Sequence, residues 1–398
     1  MRYPLDDALG GSYLQVVQRT PLPAYPFAHS SPLLQAVFPR PFYEASLGVA
    51  WPLSFSLAYY LIAKSANALL RDDKAPRDWT RGKGAWSTLL RAFIVLHNAL
   101  LCAYSLATFL LMAPVVADLF WQGYAAAGHE GVKLALCAMP TNHAYLGRWA
   151  YLFYLSKYYE VIDSLVLYLK GRAIGNLQSY HHAGALLAMW VAYRFQSTPV
   201  WVFCVFNSAV HTAMYAYYLC SAMRWPFPKA LKRNLTTLQI AQIASGTLLT
   251  NVYFFLLLDP IRLAAAFART PTSTLLPASL FASASSTSLA NASAASKPWT
   301  LAARLFGRKA AAAVAAADAV PNEMLLSTYA RARLATSDAS VCLDRQGAAL
   351  ALHANTLYMI PLLVLFARFF IRAYLAPSKA KTRKELEQGN MNGQKKVI

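Results

Sequence analysis

The sequence predicts an all-α, polytopic membrane protein with seven transmembrane helices. Three observations lead there. Hydrophobic residues make up 57% of the 398-residue chain and charged residues only 14%, with a mean hydropathy of +0.34, too apolar for an ordinary soluble domain. Seven stretches approach the roughly 20 apolar residues that a spanning helix needs. Lys and Arg gather in alternate connections between those stretches. On such a chain the formal net charge of +20 marks cytosolic loops and tails, and no nucleic-acid partner is expected.

Residues 1–45 read as an N-terminal lumenal extension. Its opening, MRYPLDDALGG, lacks a signal-peptide core because Asp6 and Asp7 interrupt it, so insertion is expected through the first span. Residues 46–260 hold six spans, at about 47–70, 89–116, 144–170, 177–195, 200–222 and 235–258. The third is the least apolar, because Lys157, Glu160 and Asp163 lie inside it. Residues 261–346 form a low-complexity Ala/Ser-rich loop with too few large apolar groups to build a core, and with a glycosylation sequon at Asn291. Residues 347–376 carry the seventh span, about 348–367, and 377–398 a basic tail.

The connections RDDKAPRDWTRGKG, KGR and RWPFPKALKR share their basic character with that tail, whereas 117–143 and 196–199 are poor in cations. The positive-inside rule therefore places the N-terminus in the lumen and the C-terminus in the cytosol. The last four residues, KKVI, then resemble a cytosolic dilysine signal that returns membrane proteins to the endoplasmic reticulum, read by a receptor. Cys137 and Cys342 fall in lumenal loops, where the compartment is oxidising, and are expected to form a disulfide. Cys102, Cys204 and Cys220 are expected to be free and buried, and the absence of a CxxC pair argues against a zinc framework.

Ionisable groups inside a bilayer cost roughly 2.5–3.5 kcal/mol each on insertion scales, so they usually face a cavity and serve it. Four groups stand out. Lys157, Glu160 and Asp163 step i, i+3, i+6 and fall within about 120° of helical arc. Gln178, His181 and His182 step i, i+3, i+4 at the start of the fourth span. Asn207, His211, Met214, Tyr215 and Tyr218 form one stripe on the fifth, and Thr236, Gln239 and Gln242 another on the sixth. Each group also has a plain reading: a polar lock between helices for the first, hydrogen-bonded buried histidines for the second, packing for the Met and Tyr of the third, and interhelical hydrogen bonding for the fourth. A catalytic metal is not expected. The eight histidines stand at 29, 97, 129, 143, 181, 182, 211 and 353; 97, 181, 182 and 211 lie within spans and the other four outside or at the ends of them, and Gln178 removes a ligand from the one box present.

In this order the four groups resemble the ELO family of very-long-chain fatty acid elongases. The family pattern KxxExxDT is met by Lys157, Glu160 and Asp163, with Ser164 in place of Thr. HxxHH is met at His181 and His182, with Gln178 in place of its first histidine. NxxxHxxMYxYY is met in full by Asn207, His211, Met214, Tyr215, Tyr217 and Tyr218, and TxxQxxQ by Thr236, Gln239 and Gln242. The Leu96–Asn98 run LHN is similar to a further family feature. The resemblance covers about residues 45–260 and 348–376.

The resemblance implies the condensing step of elongation: a long-chain acyl-CoA and malonyl-CoA give 3-oxoacyl-CoA, CO2 and CoA, with both thioesters as substrates and no cofactor. It also implies an endoplasmic reticulum enzyme with seven helices around a central acyl tunnel. The QxxHH form is similar to that of algal and protist elongases acting on polyunsaturated chains, which implies such a substrate. Histidine is the expected nucleophile, His181 or His211, passing through an acyl-imidazole, with His182 orienting or exchanging protons. Asn207 and Gln178 are expected to orient imidazoles or donate to an oxyanion. Lys157 is expected to attract CoA phosphates and the malonyl carboxylate, with Glu160 and Asp163 holding Lys157 and the histidines. Tyr215, Tyr218, Gln239 and Gln242 are expected to line the substrate site. Membrane lipid surrounds the chain. The partners implied are the ketoacyl reductase, dehydratase and enoyl reductase of the cycle, and a monomer and a homodimer both remain open. The alternative is a seven-helix transporter or receptor without catalysis, which the tunnel and its histidine lining would distinguish.

Overall fold

A computed structural model of the chain describes residues 16–17, 20–28, 30–72, 78–138, 144–267, 342–343 and 346–375, and the single positions 326, 330 and 334. The sequon at Asn291, the basic tail with KKVI, His29, His143 and most of the Ala/Ser segment lie outside the described residues. The described residues build helices and no sheet. These are α1 Pro32–Val37, α2 Arg40–Leu47, α3 Ala50–Asp72, α4 Ala85–Ala138, α5 Ala144–Glu160, α6 Ile162–Leu169, α7 Asn176–Arg194, α8 Val200–Ala222, α9 Lys229–Val252, α10 Pro260–Phe267 and α11 Gln346–Phe370.

All seven stretches expected to span are helical over most of their length, although the third divides at Val161 and the sixth ends at Phe255. By length and composition, residues 85–137 and 347–375 are apolar enough to cross a membrane, and α2 with Ala50–Leu69 of α3, bent by 64°, make a third if they count as one span. Helices α7 to α9 carry polar residues inside them, and the two parts of the divided third stretch, α5 and α6, have 17 and 8 residues. The exterior is nevertheless apolar: Leu57, Leu96, Leu248 and Leu357 are 57%, 68%, 68% and 74% exposed. Buried ionisable groups beneath such an apolar surface mark a membrane protein.

One connection departs from expectation. Residues 117–143, read as a loop, are helical to Ala138, with a break at Ala127 and Gly128. Gly128 sits at φ +58°, a conformation that glycine adopts without penalty. The chain folds back there, and a Cβ on Gly131 would lie only 1.7 Å from the Gly123 carbonyl oxygen. Eight residues of straight helix would separate those positions by about 12 Å. Glu130 in this segment is satisfied by one local and one tertiary partner: Lys133 donates to it at 2.7 Å, and the Asp259 N–H donates to it at 3.0 Å.

Helix α7 packs on α3, α5 and α11, α8 lies along α4, and α9 fits between α8 and α11. Contacts between α7 and α8 are sparse, so a space opens between α7, α8, α9 and α11. The apolar core fills the end of the bundle remote from the basic connections, with Met112, Leu119, Leu134, Tyr151, Trp190, Trp201 and Tyr253 at its centre. Part of the N-terminal extension joins it: Phe27 and Tyr43 are buried, and Tyr43 donates to the Pro23 carbonyl at 3.0 Å. Cys137 and Cys342 are joined by a disulfide with a Cα separation of 5.2 Å. The other cysteines are free, but only Cys204 is buried. Cys102 and Cys220 are only partly buried, a correction to the expectation: both lie outside the packed core, and the Cys102 thiol meets the Thr212 carbonyl of α8 at 3.6 Å.

Candidate active site

One cavity of about 1030 Å³ gathers the polar groups of five helices. Helices α5 and α6 contribute Lys157, Glu160 and Asp163, α7 contributes Gln178, His181 and His182, and α8 contributes Asn207, His211, Tyr215 and Tyr218. Gln239 and Gln242 enter from α9. Every non-cysteine site residue expected from sequence therefore lines the same space.

The two carboxylates serve different partners. Lys157 donates to Glu160 at 2.7 Å, with both side chains buried, and Ser156 adds a bond to the same oxygen at 3.0 Å. His211 Nδ1 lies 4.0 Å from the other oxygen of Glu160. Asp163 takes no part in this pair. Its Oδ1 lies 2.8 Å from His97 Nε2, and its Oδ2 accepts from the Tyr215 hydroxyl at 2.8 Å. His182 Nε2 lies 3.9 Å from Oδ2 of Asp163.

The histidines of α7 are held in unlike ways. Gln178 Nε2 lies 2.7 Å from His182 Nε2. An amide N–H only donates, so this nitrogen of His182 accepts and its proton stays on Nδ1. Gln178 thus occupies the lone pair with which His182 would otherwise attack. His181 is paired through its other nitrogen: Nδ1 lies 2.9 Å from the Tyr358 hydroxyl of α11. Among the residues lining the cavity, two buried polar atoms have no partner among the described residues, Oδ1 of Asn207 and Nε2 of Gln242. Buried amide groups left unpaired are costly, which makes them natural contacts for a bound molecule.

The cavity has two ends of different character. Lys170, Arg172 and Lys232 stand at one, where α6 ends and α9 begins. From His181 the cavity follows α7 past Ala185, Ala188 and Met189 to Ala192, about 16 Å of helix, and reaches Val200. Small and apolar side chains along that run leave room for a long, thin, apolar group. Among the described residues, no three His, Cys, Asp or Glu side chains are arranged to hold a metal ion.

Sequence reasoning noted His97 without giving it a role, and it missed Tyr358. The available signal for Tyr358 was one phenol in an apolar helix, and its partner stands 177 positions away.

A helical membrane protein with a histidine-lined cavity, cationic at one end and apolar along the other, defines the class. The chain belongs to the GNS1/SUR4 (ELO) family, whose pattern matches residues 47–382. It is 28% identical over 207 residues to "Fatty acid elongase sre1" of Dictyostelium discoideum, covering 51% of this chain and 69% of that protein. It is 28% identical over 178 residues to "Fatty acid elongase 2" of Trypanosoma brucei brucei, covering 44% and 63%. It is 34% identical over 119 residues to "Very long chain fatty acid elongase 3" of Mus musculus, covering 30% and 44%. The matched stretches thus span between 44% and 69% of those relatives' own lengths. No solved structure matches the chain.

Proposed function

We propose that this chain is the condensing enzyme of fatty acid elongation, a 3-oxoacyl-CoA synthase that joins a long-chain, polyunsaturated acyl-CoA to malonyl-CoA with loss of CO2 and CoA. The observation that carries the proposal is the convergence of His181, His182 and His211 on one cavity with a cationic mouth and an apolar run. The names of the relatives support the same reaction class.

The acyl chain lies along α7 with its thioester beside His181, and the CoA phosphates meet Lys170, Arg172 and Lys232. His181 attacks the thioester carbonyl through Nε2, forms an acyl-imidazole and releases CoA. Gln242, an unpaired amide donor on the same cavity, suits the oxyanion that forms. Malonyl-CoA then enters, its carboxylate drawn by Lys157, and loses CO2, and its enolate takes the acyl group from His181. The enzyme works in the endoplasmic reticulum membrane, with the cationic mouth facing the cytosol. Its product passes to the two reductases and the dehydratase that complete the cycle.

The test is expression of the full chain in yeast microsomes, with C16 to C20 fatty acids of varied unsaturation and labelled malonyl-CoA, and products identified by mass spectrometry. Products two carbons longer, from polyunsaturated acids above all and lost in His181→Ala, support the proposal. No extension by a well-expressed protein contradicts it.

A further inference from the structure

We propose that Tyr358 is the positioning residue that keeps the proton of His181 on Nδ1, so that Nε2 alone takes up and gives back the acyl group. The inference rests on the acyl-transfer reading above and adds a residue and an atom to it.

The hydroxyl of Tyr358 has two partners, both belonging to His181: the ring Nδ1 at 2.9 Å and the backbone carbonyl at 3.2 Å. A phenol has one proton. If that proton pointed at Nδ1, one bond would form and the phenol oxygen would face the carbonyl oxygen lone pair to lone pair. If it points at the carbonyl, the phenol oxygen is free to accept from Nδ1–H, and two bonds form in sequence. The second arrangement satisfies more of the same three atoms. The hydrogen bond made by one imidazole nitrogen decides which nitrogen carries the proton. With Nδ1 protonated, the lone pair is on Nε2.

The tyrosine is itself seated by the helix that carries His181. Tyr180 donates its hydroxyl to the Tyr358 carbonyl at 3.1 Å, and the two rings stack with centroids 5.8 Å apart. Gly184, one turn beyond, leaves space for the phenol ring: a Cβ there would lie 2.3 Å from Tyr358 Cε2. Positions 180, 181 and 184 of one helix thus fix a single side chain of another.

The chemistry closes without moving that proton. Nε2 bonds to the thioester carbon, the carbon–sulfur bond breaks and CoA leaves as the thiolate. The ring becomes an N-acyl imidazolium whose Nδ1–H still donates to Tyr358. Malonyl-CoA loses CO2, and the enolate left behind attacks the acyl carbon. The carbon–nitrogen bond breaks and its electron pair returns to Nε2. His181 is again neutral with its proton on Nδ1, ready for the next turnover.

The experiment measures acyl-enzyme formation in single turnover, with labelled acyl-CoA and no malonyl-CoA, on the full-length purified protein. Wild type should accumulate label on His181, located by peptide mass spectrometry. Tyr358→Phe keeps the ring and its packing, and should form the acyl-enzyme about tenfold more slowly, the size of effect expected for one lost hydrogen bond. The acyl-CoA concentration at half-saturation and the thermal stability should not change. In a Tyr358→Leu background, replacing His181 by Nδ1-methylhistidine places the lone pair on Nε2 covalently and should speed acylation relative to ordinary histidine. Equal rates for wild type and Tyr358→Phe, a loss carried by substrate affinity, or no gain from the methylated ring would overturn the role of Tyr358. Absence of labelled His181 in the wild type would instead overturn the acyl-transfer reading itself.

Discussion

Replacing Glu160 by Gln removes a charge and keeps the side chain's shape. In the native protein the Lys157 ammonium lies 2.7 Å from the Glu160 carboxylate, with the two side chains 4% and 5% exposed. After the change, the ammonium keeps the face of Phe153, 4.0 Å from ring centroid to Nζ, and a neutral amide oxygen as acceptor, but it has lost its counter-charge. Breaking a buried ion pair from one side costs about 3–5 kcal/mol, because the surviving charge stays desolvated. The Phe153 contact exists in both proteins and offsets none of that loss. Lys157→Met strands the carboxylate, which retains Ser156 at 3.0 Å, so a smaller loss is expected. The double variant carries neither charge and should be more stable than Glu160→Gln alone. Thermal unfolding of the purified protein in detergent measures all four forms. The reasoning predicts a coupling of about 3 kcal/mol between the two positions. Losses that add to within about 0.5 kcal/mol would refute it, since additivity is what independent, solvated charges show.

Gln178→Ala frees Nε2 of His182 and should slow elongation by about five- to tenfold, one hydrogen bond's worth. Gln178→His keeps a donor in place and should retain most of the rate, and microsomal assays of both separate the cases. Changing Cys137 and Cys342 together to Ser should lower thermal stability by about 2–4 kcal/mol. Added reductant should bring the wild type down to the same level. Gly184→Ala drives a methyl group into the Tyr358 ring, 2.3 Å from Cε2, and should slow acyl-enzyme formation as Tyr358→Phe does while also reducing stability.

The helices and the lining of the cavity were legible because polar residues in apolar helices have few neutral places to go. The spacing i, i+3, i+4 of Gln178, His181 and His182 puts all three on one face, and a bilayer leaves that face only an interior to point at. What stayed hidden depends on partners far away in the chain. Residues 117–143 read as a loop from sequence, yet Glu130 within them is met by a backbone N–H 129 positions on. The division between Glu160, which takes Lys157, and Asp163, which takes His97, follows from how α4 lies against α6, and no local spacing encodes it. Tyr358 is invisible for the same reason: a phenol in an apolar helix gains meaning only when α11 meets α7.

The central claim is that His181 carries the acyl group covalently, and free CoA tests it most directly. The protein is mixed with acyl-CoA in the absence of malonyl-CoA, and CoA release is followed with a thiol reagent. The account predicts a burst of about one CoA per active site in the wild type and none in His181→Ala. CoA release that waits for malonyl-CoA, or a burst that survives in His181→Ala, would contradict it.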